Sequence, residues 1–124
     1  MKFTFYCEIY KVRIYVYFGA VDDKMHKFMR PFRVHGYTSQ EFEELCSHCA
    51  GSTSRFGRNL AIWMPELPTK PKHYGTIAHE IAHVVSHIFD LCDIQQTNDN
   101  DEPFAYLTSW ITQRIYEKIL TVKA

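Results

Sequence analysis

The stretch Tyr74-Gly75-Thr76-Ile77-Ala78-His79-Glu80-Ile81-Ala82-His83-Val84-Val85-Ser86-His87-Ile88 holds two histidines four residues apart, with a glutamate directly after the first. It reads as a helix, because Ile77, Ile81, Val84 and Ile88 recur at steps of three and four. On a wheel of about 100° per residue, His83 lies about 40° from His79. Gly75 and Ser86 stand before and after the pair along the helix, next to His79 on the wheel, and the apolar residues cluster near the opposite pole. Two imidazoles so spaced can hold one Zn²⁺, and Glu80 can take a proton from a water that the metal activates. An amphipathic surface helix with two metal-free histidines would show the same letters. The apolar backing, with Ala78 and Ala82 leaving room for close packing, favours a helix buried on most sides with one edge lining a cleft.

An open zinc site needs a third protein ligand. Downstream runs Asn98-Asp99-Asn100-Asp101-Glu102-Pro103, a polar loop that turns into a helix start. Asn and Asp cap well, acids suit the positive end of the helix, and proline is tolerated in the first turn. Leu107, Ile111, Ile115 and Ile119 then form a helical core stripe. Ala105 and Ser109 share a face with Glu102, and their small side chains predict close approach to the His helix. Glu102 is the preferred third ligand, with Asp93, Asp99 and Asp101 as alternatives. His87 lies about 12 Å along the axis from His79, too far to share its metal in an unbroken helix.

This arrangement resembles the gluzincins, as in thermolysin-like peptidases: an HExxH helix, about twenty residues, then a Glu opening a second helix. The resemblance spans roughly Tyr74 to Trp110. It implies His79, His83 and Glu102 as zinc ligands and Glu80 as general base, and with them a zinc-dependent metallopeptidase acting on a peptide or protein. The chain also looks like short HExxH proteins encoded by phages and prophages, some of which would bind a partner without cleaving it. Thermolysin-like enzymes carry an Asp four residues after the ligand Glu, and here that position is Tyr106. The metzincin form fits less well, since Ser86 and Phe89 stand where it has Gly and His. Tyr106 is the preferred donor to the developing oxyanion, ahead of Tyr74, His87 and Arg114.

Ahead of this helix, apolar residues hold odd positions from Phe3 to Ile9 and even ones from Val12 to Phe18. Period two predicts strand, and the phase change predicts a bulge or reversal near Tyr10. Met25, Phe28 and Met29 predict a short helix. Ser39 reads as an N-cap for a stripe of Phe42, Leu45, Cys46 and Cys49. Gly51-Ser52-Thr53-Ser54 reads as a turn or loop. Asn59 to Leu67 alternates as a strand ended by Pro65 and Pro68. It is either a sheet edge, able to take an extended peptide by β-augmentation, or an interior strand packed on both faces. The expectation is a small α+β, zincin-like metallopeptidase domain over residues 1–124: a short antiparallel or mixed sheet packed on the HExxH helix and a C-terminal ligand helix.

Composition bounds the rest. Apolar residues make up 46% of 124, enough for a packed core. Fourteen basic residues balance fourteen acidic ones, so charge makes no case for nucleic acid or an anionic membrane. No segment approaches a membrane span, and Glu8, Lys11 and Arg13 interrupt any signal-peptide core. A cytoplasmic location is the expectation. Cys46 and Cys49 form a C-x-x-C without a second such pair, read as reduced thiols, with a second metal or redox role as the alternative. Cys7 or Cys92 in the fourth zinc position would close an open site.

Overall fold

Val12–Phe18 and Asn59–Met64 are the most apolar short runs of the N-terminal half, and they lie side by side at the centre of a sheet. The computed structural model describes residues 1–32, 44 and 49–123. Ser39, Phe42, Leu45 and Cys46, and with them the helical stripe expected there, lie outside the described residues. Contacts divide the chain into two units, Met1–Leu67 and Pro68–Ala124.

The first unit is a mixed four-stranded sheet. Strand β1 (Lys2–Cys7) pairs antiparallel with β2 (Val12–Phe18), Lys2 opposite Tyr17 and Cys7 opposite Val12. The phase change is therefore a reversal, through residues 8–11, with Lys11 at φ 56°. Helix α1 (Asp23–Phe28) follows, then a 3-10 turn at Arg30–Phe32. Strands β3 (Ser52–Phe56) and β4 (Asn59–Met64) form a hairpin, and β4 also runs parallel to β2, giving the order β1-β2-β4-β3.

Two expectations change here. Ser52–Ser54, read as loop, belongs to β3; its polar residues gain strand structure from pairing with β4. Gly57 (φ 59°) holds the first central position of a two-residue turn, where glycine meets no steric cost. The strand at Asn59 is interior, paired on both sides, so the edge available for β-augmentation is not β4. Alternation puts Val12, Ile14, Val16, Leu60, Ile62 and Met64 on one face, all fully buried. On the other, Met25 and Met29 pack with Tyr17, Ala61 and Trp63. Tyr15 meets Phe28 and Phe32 edge-on at 5.5 and 5.2 Å.

The second unit holds two long helices, α2 (Pro71–Leu91) and α3 (Asp101–Lys123), with a 3-10 turn at Asn98–Asn100 between them. Ring contacts between Phe89 and Phe104 and between Tyr74 and Tyr116, each at 5.7 Å, set the two antiparallel. Among the described residues no helix is long and apolar enough to cross a membrane.

Candidate metal site

Helix α2 starts where the sequence predicts, with Pro71 in its first turn. Lys70 offers no side-chain cap, and His73 works instead: its Nδ1 accepts the Thr69 N–H at 3.0 Å. At the other end Ile94 N–H donates to Phe89 C=O at 2.8 Å and Asp93 N–H to Asp90 C=O at 3.2 Å. That paired closure is a Schellman cap with Asp93 in left-handed backbone, φ 56°. Between the caps Ile77, Ile81, Val84, Val85, Ile88 and Phe89 are buried. His79 and His83 stand on the solvent side, along with Gly75, Ala78, Ala82 and Ser86.

The two imidazoles meet. His79 Nε2 and His83 Nε2 are 3.1 Å apart, the rings at 76° to each other. Two ligands of one tetrahedral zinc, each at about 2.0–2.1 Å, sit about 3.3 Å apart, so this pair fits two adjacent positions. The Glu80 carboxylate lies 4.0 Å from His79 Nε2. Glu80 itself is 5% exposed, while the His79 side chain is 68% exposed. A buried carboxylate thus backs an open pair of nitrogen donors.

Glu102 is not brought to them. It sits in the first turn of α3 on the exposed face it shares with Tyr106, Ser109 and Gln113, opposite the buried stripe Leu107, Ile111, Ile115 and Ile119. The stripe is as expected. The close approach through Ala105 and Ser109 is not, since both are exposed and α3 meets α2 through Phe104 and Tyr116 instead. Large rings bury more apolar area than small side chains, and that decides which face turns inward. The antiparallel register puts Glu102 level with the end of α2, about 10 Å or more along the axis from His83. Among the described residues no group of three or more His, Cys, Asp or Glu is arranged to hold a metal ion.

The other candidates are scattered. Tyr106 is 72% exposed. Tyr74 is half-buried against Tyr116, whose phenol is pushed up by burial and by Tyr74 beside it. Arg114 bonds Glu117 at 2.6 Å and lies over the Trp110 ring. His87 is half-buried, one turn beyond His83. Asp93 and Cys92 belong to the C-terminal cap of α2, while Asp99 and Asp101 are exposed at the start of α3. Cys7 is buried in β1 and Cys49 is exposed. Helical spacing foretold the His pair; nothing in it foretold which face of α3 would turn to α2. No family model, no curated protein and no solved structure matches this chain.

Proposed function

We propose that the chain binds Zn²⁺ through His79 and His83 and is a zincin-like, zinc-dependent metallopeptidase of gluzincin type. One observation carries the reading: two Nε2 atoms converging at 3.1 Å beside a buried Glu80 carboxylate. Structural zinc requires ligands but no base, so a carboxylate in that position favours chemistry. Bound Zn²⁺ would supply Lewis acidity, acidifying a water and polarising a peptide carbonyl. Glu80 would accept the water's proton and deliver it to the leaving amine nitrogen. Glu102 as third ligand and Tyr106 as oxyanion donor would complete the site only if their shared face of α3 turned toward the His pair, since both stand exposed away from it in this structure.

A second reading is favoured by the exposed position of Glu102 away from the His pair. In it the chain is a non-catalytic zinc-binding protein of zincin-like fold that engages a partner, as a phage-encoded module would. The two readings part on one comparison: metal content and peptide-library cleavage by wild type, Glu80→Gln and Glu102→Ala, each purified without chelator. The peptidase should hold about one zinc per chain and cleave. Glu80→Gln should keep the zinc and lose a factor of about 10²–10⁴ in kcat, as for removal of a general base. Glu102→Ala should weaken or lose the metal. Zinc indifferent to Glu102→Ala, without cleavage, moves the assignment to the second reading. A chain that takes up no zinc ends both.

A further inference from the structure

The exposed strip of α2 is complementary to itself. Setting His79 at 0°, His83 falls at about 40°, and Lys72 and Asp90 both fall at about 20°, on the line midway between them. All four residues are exposed. Lys72 and Asp90 each lie nine residues from Ile81, and His79 and His83 each lie two residues from it. A two-fold axis through the helix at Ile81 therefore exchanges Lys72 with Asp90 and His79 with His83. Gly75, Ala78, Ala82 and Ser86 are exposed on the flank beside His79, while the half-buried Thr76 and His87 border His83. The exposed imidazoles of His79 and His83 stand at the centre of the strip, where a second helix would meet them.

The coordination chemistry calls for such a helix. A tetrahedral zinc takes four donors. Each chain offers two imidazoles at fitting separation, and no third His, Cys, Asp or Glu joins them among the described residues.

We propose that His79 and His83 of two copies of this chain together hold one Zn²⁺, with the two α2 helices antiparallel and Lys72 of each copy set against Asp90 of the other. The pairing is isologous, the commonest form of closed assembly, because one patch serves both sides. It rests on the second, non-catalytic zinc-binding reading proposed above, and its success would exclude the one-zinc-per-chain peptidase. Four nitrogen donors leave no position for water, so the bridged site is a closed one. Charge at the strip ends fixes direction: a parallel pairing would bring Lys72 against Lys72 and Asp90 against Asp90.

The test is light scattering after size exclusion, with zinc measured across the same peak, before and after adding ZnCl₂ to metal-free protein. One zinc per two chains at twice the monomer mass, reversed by EDTA, is the expected result. His79→Ala and His83→Ala should each abolish the shift; both residues are exposed, and circular dichroism should show unchanged helix. Lys72→Glu should weaken zinc-dependent dimerisation about three- to tenfold, and adding Asp90→Lys should restore it. One zinc per chain at monomer mass overturns the bridge and leaves zinc binding standing. No zinc uptake overturns both. A dimer indifferent to EDTA or to His79→Ala overturns the bridge, as does a Lys72→Glu, Asp90→Lys pair that fails to recover.

Discussion

Asp93 carries the sharpest backbone constraint in the second unit. Its φ of 56° lies in the left-handed region, where any Cβ crowds the following carbonyl and only Asn, Asp and Gly sit with ease. The position is fixed by the two bonds that end α2, from Ile94 N–H to Phe89 and from Asp93 N–H to Asp90. Glycine meets the same geometry without the Cβ. Asp93→Gly should therefore raise unfolding stability by about 0.5–1 kcal/mol, and Asp93→Val lower it by about 1–2 kcal/mol. Urea unfolding of the three proteins measures both. A less stable Gly variant would mean that the Asp side chain contributes more than the strain it brings. The same geometry bears on metal chemistry. Helix α2 ends at Leu91, about 12 Å along the axis past His83, so Asp93 beyond it stands out of reach of the His pair.

Helix α1 is a short element with little intrinsic stability, held by its ends and by one buried face. Asp22 caps it, accepting the Met25 N–H at 3.0 Å and the Tyr17 hydroxyl at 3.3 Å. Above it Trp63 Nε1 donates to Gly19 C=O at 2.9 Å. The cap bond from Met25 N–H, foremost, holds the Asp22 carboxyl below its usual 3.8, while burial first and Asp22 second push the Tyr17 phenol above 10.0. For Asp22 the folded state binds the proton more weakly. Its contribution is present above about pH 4 and is lost as pH falls through the lowered value. For Tyr17 the sign reverses, and stability is lost as pH rises past about 10. Asp22→Asn keeps a capping oxygen without the acid. Its stability difference from wild type should shrink as pH falls below 4, read by Trp63 fluorescence in a Trp110→Phe background. A difference constant with pH would remove the titration from the account. The main elements were legible from period alone, since Ile14, Val16, Leu60 and Ile62 alternate and Ile77, Ile81, Ile111 and Ile115 repeat helically. What was not legible depended on neighbours. Ser52, Thr53 and Ser54 become strand only because β4 presents a partner, and β4 becomes interior only because β3 exists. At the candidate site the His pair lies within one turn of one helix, so spacing sufficed. Glu102 lies on another helix, and its direction was set by where Phe104 and Tyr116 found rings to meet.

Across the whole molecule, metal binding and folding are linked, because any ion that binds the folded chain more tightly than the unfolded one stabilises it. This chain offers a sharp case, with seven histidines and four cysteines that an unfolded chain would also present to zinc. If the His79 and His83 pair is preorganised at 3.1 Å, the helix has already met the entropic cost of bringing two donors together. Zinc should then favour the folded chain. Free zinc at a hundred times its dissociation constant should stabilise by about 2.7 kcal/mol, a rise in Tm on the order of 10 °C for a chain of this size. His79→Ala, which leaves only one of the two nitrogens, should lose most of that rise while keeping the metal-free Tm within a few degrees, since the side chain is 68% exposed. Calorimetry with and without ZnCl₂ settles the sign. A Tm that falls on adding zinc would mean that the scattered thiols and imidazoles of the unfolded chain outcompete the helical pair. An equal rise in His79→Ala would locate the stabilising site elsewhere. Where two copies share the ion, the rise should also grow with protein concentration, because the bound state then gains from association as well as from ligation.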